Sequence, residues 1–184
     1  MSKFFDCTQY NTKNAKNQEG RYKFSHFTHN KVEETARKVK TMNELEFYRD
    51  IYKSSDIGFD AVTRLMPKVE DKKLRHDMAL HMDGYRYFAR IAKERLEEAG
   101  EKAERENVLK QMPARIGMAM QTMFDTSPAH IAELMIDGSN MSILDLNKKL
   151  NRLREQTGNE EVIGVCQNMI DFEETNISRM KRYI

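Results

Sequence analysis

Tryptophan is absent from this chain of 184 residues, cysteine occurs twice and proline three times, and no apolar run approaches the length a bilayer demands. Each shortage excludes something. A membrane-spanning helix needs about twenty consecutive apolar residues, and none is present. The opening Met1-Ser2-Lys3-Phe4-Phe5 lacks the apolar centre of a secretory signal, so the sequence reads as cytoplasmic. Cys7 lies in a polar stretch and Cys166 on an apolar helical stripe, which provides neither a disulfide framework nor zinc-ligand spacing. Cys166 reads as a small buried hydrophobe. No glycine-rich phosphate loop occurs, and the serines and histidines are not arranged as a nucleophile with its base.

What is present is a surplus of strong helix formers, Ala, Leu, Met, Glu, Lys and Arg, with no strand-like alternation. Four long helical stretches follow one another. Asn43 to Met66 and Asp71 to Ala99 meet across Pro67-Lys68-Val69-Glu70, and Pro128 to Thr157 and Glu160 to Tyr183 meet across Gly158-Asn159. Short links make antiparallel neighbours. The link from Gly100 to Ser127 is long enough to run the length of a bundle and return, so the second hairpin can lie parallel to the first. The class is all-α, with residues 42–184 forming a four-helix bundle behind an N-terminal extension, 1–41.

That extension is basic: nine Lys or Arg against four acids between positions 1 and 41, in a chain whose net charge is only +2. Such an arm could touch nucleic acid or another anionic surface, but aromatic residues are not interleaved with its cations in a recognition pattern. A solvated extension is the simpler reading. Asn30 with Glu33 forms a capping box, which predicts a short helix over 31–40.

Helical periodicity selects the inward face of each long stretch. Tyr48, Ile51, Tyr52, Phe59, Val62 and Met66 define the first, with Ser55 at its centre, Asp56 on its flank and Asp60 further out. Leu74, Met78, Tyr85, Phe88, Ala92 and Leu96 define the second, with His81 near the centre and Asp77 one turn before it. On the third, after an N-cap at Ser127 and Pro128 at the first helical position, the face is Ile131, Leu134, Met135, Met141, Leu146, Leu150 and Leu153, interrupted by Gly138, Ser139 and Ser142. On the fourth, Val162, Val165, Cys166, Met169, Phe172, Ile177 and Met180 surround Glu173, with Asn176 one turn later. A carboxylate in a core needs a partner, so His81 and Glu173 are predicted to face each other.

From Asn43 onward the chain resembles the ferritin-like superfamily, the fold of ferritins, bacterioferritins and rubrerythrins. Its di-metal members take one Glu from each of two helices and a Glu-x-x-His motif from each of the other two. Here Glu173-x-x-Asn176 has an amide in place of the imidazole, Met78 stands where a Glu would precede His81, Ser55 is central on the first helix, and Gly138 and Ser142 stand where the third would supply a Glu. The resemblance therefore implies a bundle without a complete di-iron site, retained for assembly or partner binding, homo-oligomeric through helix faces, and with no cofactor expected. The alternative is a metal-binding oxidoreductase with one divalent ion on His81 and Glu173, helped by Asp77 or Asn176, since imidazole and carboxylate suit zinc, iron or manganese. Without a metal, the same residues would form a buried hydrogen-bond network.

Met112, Met118, Met120 and Met123, with Met135 and Met141 beyond, make the long link rich in thioethers, which suit Cu(I). The same spacing, with Ile116 and Phe124 after Pro113, is the inner face of a crossover helix. Core packing is the reading adopted.

Overall fold

The computed structural model describes residues 44–104, 125–156 and 158–184, all within one compact unit, Met42–Ile184. The basic extension, the predicted helix over 31–40, Cys7, the Asn43 cap and the methionines from Met112 to Met123 lie outside the described residues. Among those described there are four long helices and no strand: α1 (44–65), α2 (Lys72–Glu98), α3 (Pro128–Gln156) and α4 (Glu160–Met180). No helix among them is long and apolar enough to cross a membrane. Single 3₁₀ turns follow α1, at Met66–Lys68, and α4, at Lys181–Tyr183.

The helix starts are set by short polar side chains. Asp71 accepts from the Leu74 amide at 2.7 Å, Ser127 from His130 at 3.3 Å, and Asn159 from Glu161 at 3.1 Å, each satisfying an amide with no partner inside its helix. The ends of α2 and α3 are marked by Gly100 (φ +77°) and Gly158 (φ +57°). Both adopt the left-handed conformation that a residue with a Cβ resists. Around Gly100 the Glu101 amide bonds back to the Leu96 carbonyl at 2.8 Å and closes the last turn of α2.

Side chains at matching depths fix the directions of the helices. Asp50, near the start of α1, pairs with Lys149, near the end of α3, at 3.1 Å; Leu65, at the end of α1, and Leu134, near the start of α3, line one cavity. The two helices are antiparallel. Tyr85 meets Glu173 and Arg95 meets Glu161, so α2 and α4 are antiparallel as well; contacts of Ser139 with Glu173 and Cys166 with the Leu146 carbonyl make α3 and α4 antiparallel. It follows that α2 and α3 run the same way.

This corrects the expectation that the second hairpin lies parallel to the first. The reason is geometric. The turn from α1 to α2 (Val69, Glu70, Asp71) shares a surface recess with Thr126, Ser127 and Pro128, so α3 begins at the end of the bundle where α2 begins. The connection leaves α2 at the opposite end and must span its 27 residues, roughly 40 Å of helix. A chain that leaves α2 at one end of the bundle and enters α3 at the other repeats the direction of α2, not of α1.

The stripes close on one core. On α2 the buried set is Leu74, Asp77, Met78, His81, Tyr85, Phe88, Ala92 and Leu96, the predicted face. On α3 the face is turned slightly: Ala132 and Ser139 are buried with Ile131, Met135, Leu146, Leu150 and Leu153, while Met141, expected inside, is 43 % exposed. Asp56 is buried, further in than its flank position suggested, whereas Asp60 stays at the surface with Arg64 at 2.5 Å. Each fully buried Leu, Ile or Met contributes on the order of 1.5–3 kcal/mol. The polar residues enclosed with them are the unusual feature of the core.

Candidate functional site

Midway along the bundle every helix delivers a polar side chain to the interior: Ser55 from α1, His81 from α2, Ser139 from α3, and Glu173 with Asn176 from α4, none more than 2 % exposed. His81 and Tyr85 are one turn apart on the same face of α2, and that spacing places both opposite Glu173. The Tyr85 hydroxyl donates to Glu173 Oε1 at 3.1 Å, with Oε2 at 3.4 Å, and the Ser139 hydroxyl donates to Oε2 at 2.7 Å. His81 Nε2 lies 3.5 Å from Glu173 Oε2. That is close enough to interact electrostatically, but neither ring nitrogen makes a hydrogen bond among the described residues.

Aromatic rings wall this group. His81 stacks on Tyr85 with centroids 4.8 Å apart and 23° between the planes, and Phe172 meets both rings edge-on at 5.4 Å. Burial first, and then the negative charge of Glu173, hold the Tyr85 hydroxyl well above its usual pKa, so the phenol is a neutral donor.

Of the four residues proposed as metal ligands, the structure brings together His81 and Glu173. Asp77 is not brought to them. Its carboxylate accepts from the Tyr183 hydroxyl at 2.7 Å and lies 3.5 Å from Arg182 Nη2, because the 3₁₀ turn after α4 folds a donor and a cation over it. Asn176 accepts from Arg179 through Oδ1 at 3.1 Å and keeps a buried Nδ2 with no partner among the described residues. The inward serine of α3 is Ser139, not the Gly138 and Ser142 positions expected there. Gly138 and Ser142 border a cavity instead.

Two members of the group escaped the sequence reading. Tyr85 counted only as an apolar-stripe residue, although a phenol one turn from His81 on a buried face must find an acceptor. Ser139 was visible as a small polar interruption but not as the one that points inward.

Beside the polar group, α1 and α3 part to leave a cavity of about 340 Å³. Its walls are apolar, among them Ile57, Val62, Leu65, Leu134, Met135 and Leu146, and His81, Tyr85, Ser139 and Glu173 reach its inner end. The exposed Met141 and the half-exposed Asp145 stand at the mouth. Small residues border the space: Gly58 and Ala61 on α1, Gly138 and Ser142 on α3.

No family model, no curated protein and no solved structure matches this chain. The donor set must therefore speak for itself. Two divalent cations require about four carboxylates to neutralise them, and among the described residues the centre offers one carboxylate and one imidazole. Among the described residues no three His, Cys, Asp or Glu side chains are grouped to hold a metal ion. These residues do not fit a di-iron centre.

Proposed function

We propose that this chain is a ferritin-like bundle whose di-metal centre has given way to a hydrogen-bonded polar core, and that it works as a non-catalytic assembly or partner-binding protein. The helix order, with one end-to-end connection between two antiparallel pairs, supports the architecture. One observation carries the functional reading: the inward positions hold Ser55, Met78, His81, Ser139, Glu173 and Asn176, all buried, and the single carboxylate already accepts from Tyr85 and Ser139. Where the family's metal-binding members would present further acids and a second imidazole, this chain presents hydroxyls, a thioether and an amide.

Metal analysis of the purified protein, followed by a ferrous-oxidation assay, tests the reading. Less than one equivalent of tightly bound iron and no oxidation above background are expected. A stoichiometric dinuclear centre seen by anomalous scattering overturns it.

A second reading, one divalent ion on His81 and Glu173, is supported by their 3.5 Å approach and by the unpartnered ring nitrogens of His81. Zinc and manganese titrations of the wild type and His81→Ala decide it. Association through helix faces belongs to the same proposal. Tyr87 on α2 and Leu144 on α3 are both exposed, and sedimentation would distinguish a 21.7 kDa monomer from a dimer built on those faces.

A further inference from the structure

The cavity between α1 and α3 has an unusual charge pattern. Glu173 and Asp145 both line it, and among the described residues no lysine or arginine does. Asp145 is answered at the mouth by Lys149, at 2.6 Å. Glu173, at the inner end, is answered by two neutral hydroxyls and by an imidazole that makes no hydrogen bond to it. A buried carboxylate held by neutral donors keeps its affinity for a cation. The carboxylate has about four acceptor positions, not all of them used by Tyr85 and Ser139. The His81 ring, 2 % exposed and with no hydrogen bond among the described residues, lines the same end.

We propose that this cavity is a binding site for a small organic amine: a protonated amino group at Glu173 and His81, and an apolar body between α1 and α3. An ammonium group has three donors and no acceptor. Glu173 has acceptor positions beyond those that Tyr85 and Ser139 use, and a His81 ring nitrogen with no hydrogen bond among the described residues lies beside them. An anionic headgroup would meet Glu173 with like charge, and a single metal ion would have only Glu173 and His81 as side-chain ligands among the described residues. The volume, near the lower end of the range for ligand pockets, suits a short alkyl or arylalkyl chain. This inference stands apart from any relation to ferritins, since it uses only the cavity and the residues at its end.

The test uses the full chain, first shown by metal analysis to be metal-free, and three probes of matched length: n-octylamine, 1-octanol and octanoate at pH 7. Calorimetry gives affinities, and amide chemical shifts locate the bound probe. Octylamine is expected to bind one to one, with a Kd at least roughly tenfold below that of octanol, shifting amides of α1 and α3 around Gly58 and Gly138, while octanoate does not bind. Glu173→Gln should remove the preference for amine over alcohol. Gly138→Leu, on a partly exposed position, should block both probes without touching the polar group. Equal affinity for amine and alcohol in the wild type overturns the proposal, because it would mean that the amino group gains nothing at Glu173. Shifts confined to other surfaces also overturn it. Neither result bears on the metal-free reading, which the preceding metal analysis decides alone.

Discussion

Phe172 of α4 occupies the space a side chain on Gly84 of α2 would need: a Cβ added to Gly84 would lie 2.0 Å from its ring. The next residues along each helix are Tyr85 and Glu173, so the close approach that seats this ring also brings phenol and carboxylate to 3.1 Å. Gly58 of α1 makes the corresponding room for Tyr85, whose ring would be 2.3 Å from a Cβ there. Glycine inside a helix costs about 1 kcal/mol relative to alanine, and at these two positions close packing explains why it stands.

Gly84→Ala should therefore destabilise the protein although it improves helix propensity. Pushing Phe172 aside is overpacking, which costs about 1–3 kcal/mol. Urea unfolding monitored by circular dichroism would measure it, and a midpoint at or above that of the wild type would show that α2 and α4 are free to separate.

Glu173 is the polar residue whose loss should be felt most. Replacing it with alanine strands the buried hydroxyls of Tyr85 and Ser139, at a cost of about 1–3 kcal/mol. Glu173→Gln keeps an acceptor for them and should cost less. Equal, large losses from both changes would mean that the negative charge itself is required, and hence that a cation is bound in the protein as purified.

Much of this was legible in advance, for reasons that differ between elements. The face of α2 follows from unbroken spacing between Leu74 and Leu96, with His81 on the line. The face of α3 is less well determined, because Gly138, Ser139 and Ser142 leave a gap. Counting Met141 as inward draws the stripe through Gly138 and Ser142, whereas the packed helix turns Ala132, Ser139 and Leu146 inside and leaves Met141 at the cavity mouth. The engagement of Asp77 by Tyr183 joins positions 106 apart in sequence, and no local pattern announces it. The direction of the second hairpin was open to geometry alone, since it depends on where a link of known length starts and ends.

Alkaline pH should reveal the buried phenol. The pKa of Tyr85 is raised in the folded state, by burial and then by Glu173, so the fold favours the neutral form. Its contribution to stability is fully present below the ordinary tyrosine value of 10.0 and is lost as pH climbs from there toward the folded pKa. Tyr85→Phe has nothing to ionise, and it should flatten the fall of stability above about pH 10 by up to about 1.4 kcal/mol per pH unit. Part of the slope should survive, because Tyr48 is also raised and Tyr183 is pushed up to about 12. An unchanged slope in Tyr85→Phe would mean that the hydroxyl ionises as readily inside as outside.

Cys166 offers a probe of the seam between α3 and α4. Its side chain is fully buried, its thiol lies 3.5 Å from the Leu146 carbonyl, and burial pushes its pKa up to about 11. At pH 8 only about one thiol in a thousand would be ionised, against roughly a quarter for an ordinary cysteine. Labelling by a thiol-specific disulfide reagent must wait for α3 and α4 to part. In Cys7→Ser, which leaves Cys166 as the only thiol, the native protein should label at least about a thousandfold more slowly than the urea-unfolded chain, and the residual rate should rise with denaturant in step with global unfolding. Rapid stoichiometric labelling in buffer would show that the α3–α4 seam opens locally. It would also remove the rigid backing on which the contact of Ser139 with Glu173 depends.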